Sequence, residues 1–139
     1  MIVPAGIQLL ILSSCKKQNS SGISNTGIVT NGNWKLTSFT ISTITGSTDL
    51  YNAYSECRKD DYLHFNRVGT EEVNEGPAKC DSTDPQSHLI QWLFTNNAET
   101  KIRISGNNYI IDRLDNNNFQ IHTLSTDPYA ADETKTYVK

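Results

Sequence analysis

No stretch of this 139-residue chain carries the dense Lys and Arg that a phosphate backbone would require. Its 12 basic residues are scattered among 15 acidic ones, the net charge is -3, and nucleic acid is not an expected partner. No apolar run reaches the roughly 20 residues of a spanning helix. There is no GxSxG elbow, no phosphate-cradling glycine loop and no HExxH. The acids Asp60, Asp61, Glu71, Glu72, Glu75, Asp81 and Asp84 are dense, yet their spacing does not match a calcium loop. Adjacent acids on a strand also point to opposite faces, so the group reads as a solvated rim and not as a paired dyad. His64, His88 and His122 fall on three expected strands and could converge on a metal, but isolated strand histidines more often partner a neighbour. The expectation is therefore no enzyme, no metal and no cofactor. Length leaves room for one domain.

What is present begins with an apolar stretch at residues 2–12 that switches abruptly, at Cys15, to Lys16-Lys17-Gln18-Asn19. Such a run is too short to cross a bilayer and fits the apolar core of a signal peptide. Leu12-Ser13-Ser14-Cys15 resembles the lipobox of bacterial lipoproteins, an aliphatic and two small residues before the cysteine. The resemblance implies removal of residues 1–14 and lipidation of Cys15, with palmitate-like acyl chains numerous enough for stable anchoring. The usual basic flank before the apolar core is missing, which a start assigned too late would explain. Residues 15–32 hold Ser, Asn, Thr and Gly without periodicity and are expected to form a flexible tether. The residues after Cys15 are basic, whereas surface-export signals are acidic there. The expected location is thus the periplasmic face of the outer membrane.

With Cys15 lipidated, Cys57 and Cys80 are left to each other in a compartment that permits disulfides. The local pattern supports the pair. Tyr62-Leu63-His64-Phe65-Asn66 alternates, Arg67-Val68-Gly69 supplies a turn, and residues 70–75 resume the strand. Pairing Asn66 with Thr70 makes opposite numbers sum to 136. Cys57 and Cys80 then fall within one residue of facing each other, provided both arms stay extended.

Further strands are expected at residues 33–42, 88–94, 101–105, 109–112, 119–122 and 134–138. A change of apolar phase near Ser38 suggests a bulge in the first of these. Residues 49–61 are less strand-like and suit a helical turn or ordered loop around Tyr51 and Tyr54. About eight strands joined by short turns favour an all-β, antiparallel, up-and-down barrel over residues 33–139, because closure removes exposed edges.

Gly32-Asn33-Trp34 at the head of the first strand resembles the GxW signature of lipocalins, which are eight-stranded barrels with a ligand cavity. Several features taken in order are similar to small lipocalin-like lipoproteins of Bacteroidetes. They are the lipobox, the polar tether, Trp34-Lys35-Leu36-Thr37-Ser38, Cys57 with Lys59-Asp60-Asp61, Phe65-Asn66, Gly69-Thr70, Glu75-Gly76 and Lys79-Cys80. The family's TDY motif has no counterpart, and the late basic residue that packs on the Trp would be Lys135 or Lys139. By alternation, Trp34, Leu36, Phe65, Ile90, Trp92, Phe94, Ile102, Ile104, Ile111, Phe119 and Ile121 face inward.

Trp34 is expected to plug one end. The resemblance implies a small hydrophobic or amphipathic ligand held by Leu36, Phe65, Ile90, Trp92, Ile104, Ile111, Phe119 and Ile121. The alternative is a filled scaffold whose rim loops, residues 49–61 and 77–86 with Tyr51, Tyr54 and acids exposed, meet another envelope protein.

Overall fold

The computed structural model of the protein describes residues 22–123, 127 and 130–139. The expected leader over residues 1–14, Cys15 as the expected lipidation site, and residues 16–21 of the expected tether lie outside them. Nine strands form among the described residues: β1 (Asn33–Thr43), β2 (Gly46–Asp49), β3 (Tyr62–Phe65), β4 (Thr70–Asn74), β5 (Ser87–Phe94), β6 (Lys101–Ile104), β7 (Asn107–Leu114), β8 (Asn118–Thr123) and β9 (Asp132–Val138). Each pairs antiparallel with the next around the sheet. β1 also pairs with β9, so every strand except β2 belongs to a closed, eight-stranded, up-and-down barrel of lipocalin-like shape. β2 folds back on the far half of β1 alone. It has no apolar residue and is exposed throughout, which is why the hydrophobic pattern gave no sign of it.

The β3–β4 hairpin has the anticipated register: Phe65 faces Glu71 and Tyr62 faces Asn74. Gly69 takes the left-handed backbone (φ 84°) that the turn demands, and Asn66 N–H donates to Thr70 O at 2.7 Å. The bulge in β1 lies between Leu36 and Ser38. Its extra residue lets Trp34 and Phe39, an odd number of positions apart, both turn inward to buried sites.

Below the hairpin the chain leaves the sheet. Residues Tyr51–Ala53 make a 3-10 turn and Glu56–Lys59 a single helical turn, which we label α2. Cys57 and Cys80 are disulfide-bonded with Cα atoms 5.2 Å apart. The pairing is the expected one, though α2 and a loop bring the cysteines together where extended arms were anticipated. The loop lies so close to this strap that a Cβ on Gly76 would sit 2.5 Å from Asp60 O, and Gly76 has φ 65°. Tyr54 packs edge-on to Phe39 at 6.3 Å, with Arg58 over its outer ring face at 5.5 Å. Tyr51 and Tyr54, expected as exposed rim residues, are therefore half-buried.

A second correction concerns the tether. Asn25–Val29 is a short helix, α1, whose N-cap Ser24 accepts from Gly27 N–H at 3.1 Å. Thr26 donates from N–H and Oγ1 to the Glu99 carboxylate at 3.0 and 2.5 Å, and Asn25 Nδ2 donates to Glu99 O. Val29 is fully buried, and its carbonyl accepts the Trp34 indole N–H at 2.8 Å. Five residues containing two adjacent aliphatics carry no helical periodicity. The helix is held by the barrel end on which it sits. Residues 24–30 of the expected tether thus belong to the folded body.

Candidate functional site: the barrel interior

The two halves of the barrel are filled differently. At the end covered by α1, Trp34, Phe65 and Phe119 expose nothing, and Trp92 and Ile102 pack beside them. Ring centroids lie 5.6 Å apart for Trp34–Phe119, 5.8 Å for Phe65–Phe119 and 5.4 Å for Phe65–Trp92, in tilted or edge-on geometry. The indole N–H of Trp92 is shared between Asn66 O and Thr70 O. Lys139 Nζ lies 4.6 Å from the Trp34 ring centroid, supplying the basic residue that the lipocalin resemblance requires on that Trp. Trp34 is the expected plug.

Toward the other end the side chains draw apart around a cavity of about 240 Å3. Leu63, Val73, Ile90, Ile104 and Ile121 form its apolar wall, while Glu71, Tyr109, Lys135 and Tyr137 supply the polar groups. Ser105 and Asn107 line it at the β6–β7 turn, which places its mouth at the end away from Trp34. That turn is tight because Ser105 (φ 49°) and Gly106 (φ 86°) both adopt left-handed backbone. The volume is just below the range of about 300–1,000 Å3 of drug-sized ligand sites and suits a smaller molecule. A second cavity of about 150 Å3 adjoins it through Leu63, Val73 and Tyr137 and extends beneath the strap to Tyr54, Arg58 and Asp61.

The chemistry of the larger cavity centres on Glu71. Its side chain is 0% exposed, and neither carboxyl oxygen has a hydrogen-bond donor among the described residues. Burial pushes its pKa up to about 8 against a smaller opposing pull from Lys135. Lys135 is engaged elsewhere: Nζ lies 2.9 Å from Glu133 Oε2, 3.4 Å from Tyr109 Oη and 4.8 Å from the Phe39 ring centroid. Burial lowers its pKa, but the bond to Glu133 and the neighbouring Tyr109 hold it above the ordinary lysine value. The Tyr137 phenol is pushed well above its usual range by burial and then by the Glu71 charge. In the smaller cavity, burial, Glu75 and Asp60 raise Asp61 to about 6 against the pull of Arg58, and one oxygen of Asp61 has no donor.

Of the residues expected to hold a ligand, Ile90, Ile104 and Ile121 line the larger cavity and Leu36 the smaller one. Phe65, Trp92 and Phe119 belong to the packed plug, and Ile111 packs partly buried against it. Glu71 was assigned to a solvated rim and is instead inside. Phe39, Tyr109 and Tyr137 were also missed, and Lys135, offered with Lys139 as the partner of Trp34, lies at the cavity instead. The histidines stay apart in separate contacts: His64 Nδ1 meets Asn33 Oδ1 at 2.9 Å, His122 Nδ1 meets Asp112 at 2.8 Å, and His88 is exposed. Among the described residues no group of three or more His, Cys, Asp or Glu is placed to hold a metal ion, and no helix is long and apolar enough to cross a membrane.

No protein-family model matches the sequence, and no curated protein matches it significantly. The functional reading therefore rests on the barrel and its interior. An apolar cup with one carboxyl, one ammonium and two phenols can recognise a small molecule that is apolar on one side and polar on another.

Proposed function

We propose that this chain is a lipid-anchored, lipocalin-like lipoprotein of the bacterial cell envelope that holds a small amphipathic molecule in the open half of its barrel. The observation that carries the reading is the cavity of about 240 Å3 above a solid aromatic plug. A scaffold with no ligand would gain stability by filling that space, since each buried methylene contributes about 0.8 kcal/mol. The contact between Lys139 and Trp34 adds support from the lipocalin resemblance.

Cys15 precedes the α1 N-cap, Ser24, by nine residues, a reach of at most about 30 Å. An anchor on Cys15 would join the barrel at its plugged end, where α1 sits, a connection that favours a mouth facing away from the bilayer. On this reading the ligand arrives from the aqueous side and not from the lipid phase.

Native mass spectrometry of the protein released from its own membranes tests both parts. Expected are cleavage before Cys15, an acyl mass on that residue and a co-purifying small molecule lost on unfolding. A chain retaining residues 1–14, or an unmodified Cys15, would remove the anchor. Absence of any retained molecule, together with failure to take up small amphiphiles, would remove the ligand.

A further inference from the structure

The charges inside the open half do not balance. From β9, Glu133 and Lys135 pair with each other at 2.9 Å, and Lys135 also rests on the rings of Phe39 and Tyr109 at 4.8 and 5.3 Å. Tyr109 of β7 and Tyr137 of β9 line the same cavity. Glu71 of β4 is left over: 0% exposed, lining the cavity and, among the described residues, without a donor on either oxygen. A buried carboxyl in that position is costly unless something supplies donors and, for the ionised form, positive charge.

An entering carboxylate would find Lys135, the one ammonium lining the cavity among the described residues, already paired. An alcohol could meet the hydrogen bond but not the charge. An ammonium meets both. Resting on the reading of the cavity as a ligand pocket, we propose that its ligand presents a protonated amine to Glu71 and lays a short apolar body against Ile90, Ile104 and Ile121.

The proposal carries a proton signature. With its pKa near 8, Glu71 is mostly protonated at neutral pH. Pairing with an ammonium requires the carboxylate, so binding at pH 7 releases about one proton, and affinity rises about tenfold from pH 6 to 7 and about fivefold from 7 to 8 before levelling. A ligand that accepted a hydrogen bond from the neutral acid would bind more weakly as pH rose.

Hexylamine, hexanol and hexanoate share one apolar body and differ in head group. Titration calorimetry of each against the purified full chain, at pH 6 to 9 and in buffers of different ionisation enthalpy, separates the cases. Expected at pH 8 is hexylamine binding at least tenfold tighter than hexanol, with proton release at pH 7. In Glu71→Gln, neutral and of equal size, the preference should vanish while hexanol binding stays. If that variant fails to fold, the pH slope and proton release of the unaltered chain decide alone. Hexanol or hexanoate binding as tightly as hexylamine, or amine binding without proton release, would overturn the amine and leave the pocket standing. No binding by any of the three would overturn the pocket reading and the amine with it.

Discussion

Phe65 and Glu71 sit directly opposite each other in the β3–β4 hairpin, and neither exposes any surface. The Phe completes the plug, whereas the Glu lines the cavity above it without a hydrogen-bond donor. One is part of what stabilises the barrel and the other subtracts from it.

Replacing the carboxyl should therefore stabilise the protein. Glu71→Gln and Glu71→Leu are expected to gain at least about 1 kcal/mol at pH 8.5. For a body of this size that is a rise in Tm of about 3–6 °C, measured by thermal unfolding. The gain would come at the expense of ligand binding, the usual trade at a functional site. Destabilisation by both variants would mean that Glu71 has a partner not described here.

The same group sets a pH dependence. The Glu71 pKa is raised from 4.5 to about 8 on folding, so between those values the folded state holds a proton that the unfolded state has lost. The stability associated with that proton is fully present below pH 4.5 and is lost progressively as pH rises toward 8. Asp61, raised to about 6, acts in the same direction but is exhausted above that pH. Urea unfolding of the unaltered chain should show falling stability from pH 6 to 8, and Glu71→Gln should remove most of the slope. A flat profile across that window would refute the buried, donorless state.

The disulfide ties α2 to the loop after β4 and spans 23 positions in sequence. From the entropy of the loop it closes, the paired substitution Cys57→Ser, Cys80→Ser should cost about 3 kcal/mol. The strap carrying Tyr54 and Arg58 should loosen first and widen the smaller cavity. Denaturant unfolding with and without reductant measures the cost, and an unchanged midpoint would assign the strap's order to the Tyr54–Phe39 contact instead.

The α1 helix gives a fourth outcome. A chain beginning at Gly22 should keep full stability. One beginning at Asn31 removes buried Val29, the acceptor for the Trp34 indole and the Glu99 contacts, and should lose roughly 2–4 kcal/mol. Near-UV circular dichroism would register a loosened Trp34. Equal stability of the two chains would restore the segment to the tether.

Strand positions, the β3–β4 register and the β1 bulge were legible because alternation and glycine turns report backbone pairing directly. Glu71 was legible in principle. Phe65 and Ile90 were both read as inward, and Glu71 pairs with each across the ladder, so all three share a face. Composition argued otherwise, since acids beside acids suggest solvent. Lys135 and Tyr137 were harder, because β9 mixes threonines with an inward row containing a Glu and a Lys, and polarity does not mark that face. The α1 helix and β2 carry no periodic signal, and only the chain beside them holds them in shape.

The claim that the open half of the barrel is a ligand pocket is tested most directly by two-dimensional amide NMR of the assigned chain, titrated in turn with hexylamine and hexanol. The account predicts saturable shifts at Glu71, Ile90, Ile104 and Ile121, with the indole signals of Trp34 and Trp92 nearly still. Shifts confined to residues 50–61 and 77–86, or none at all, would contradict it.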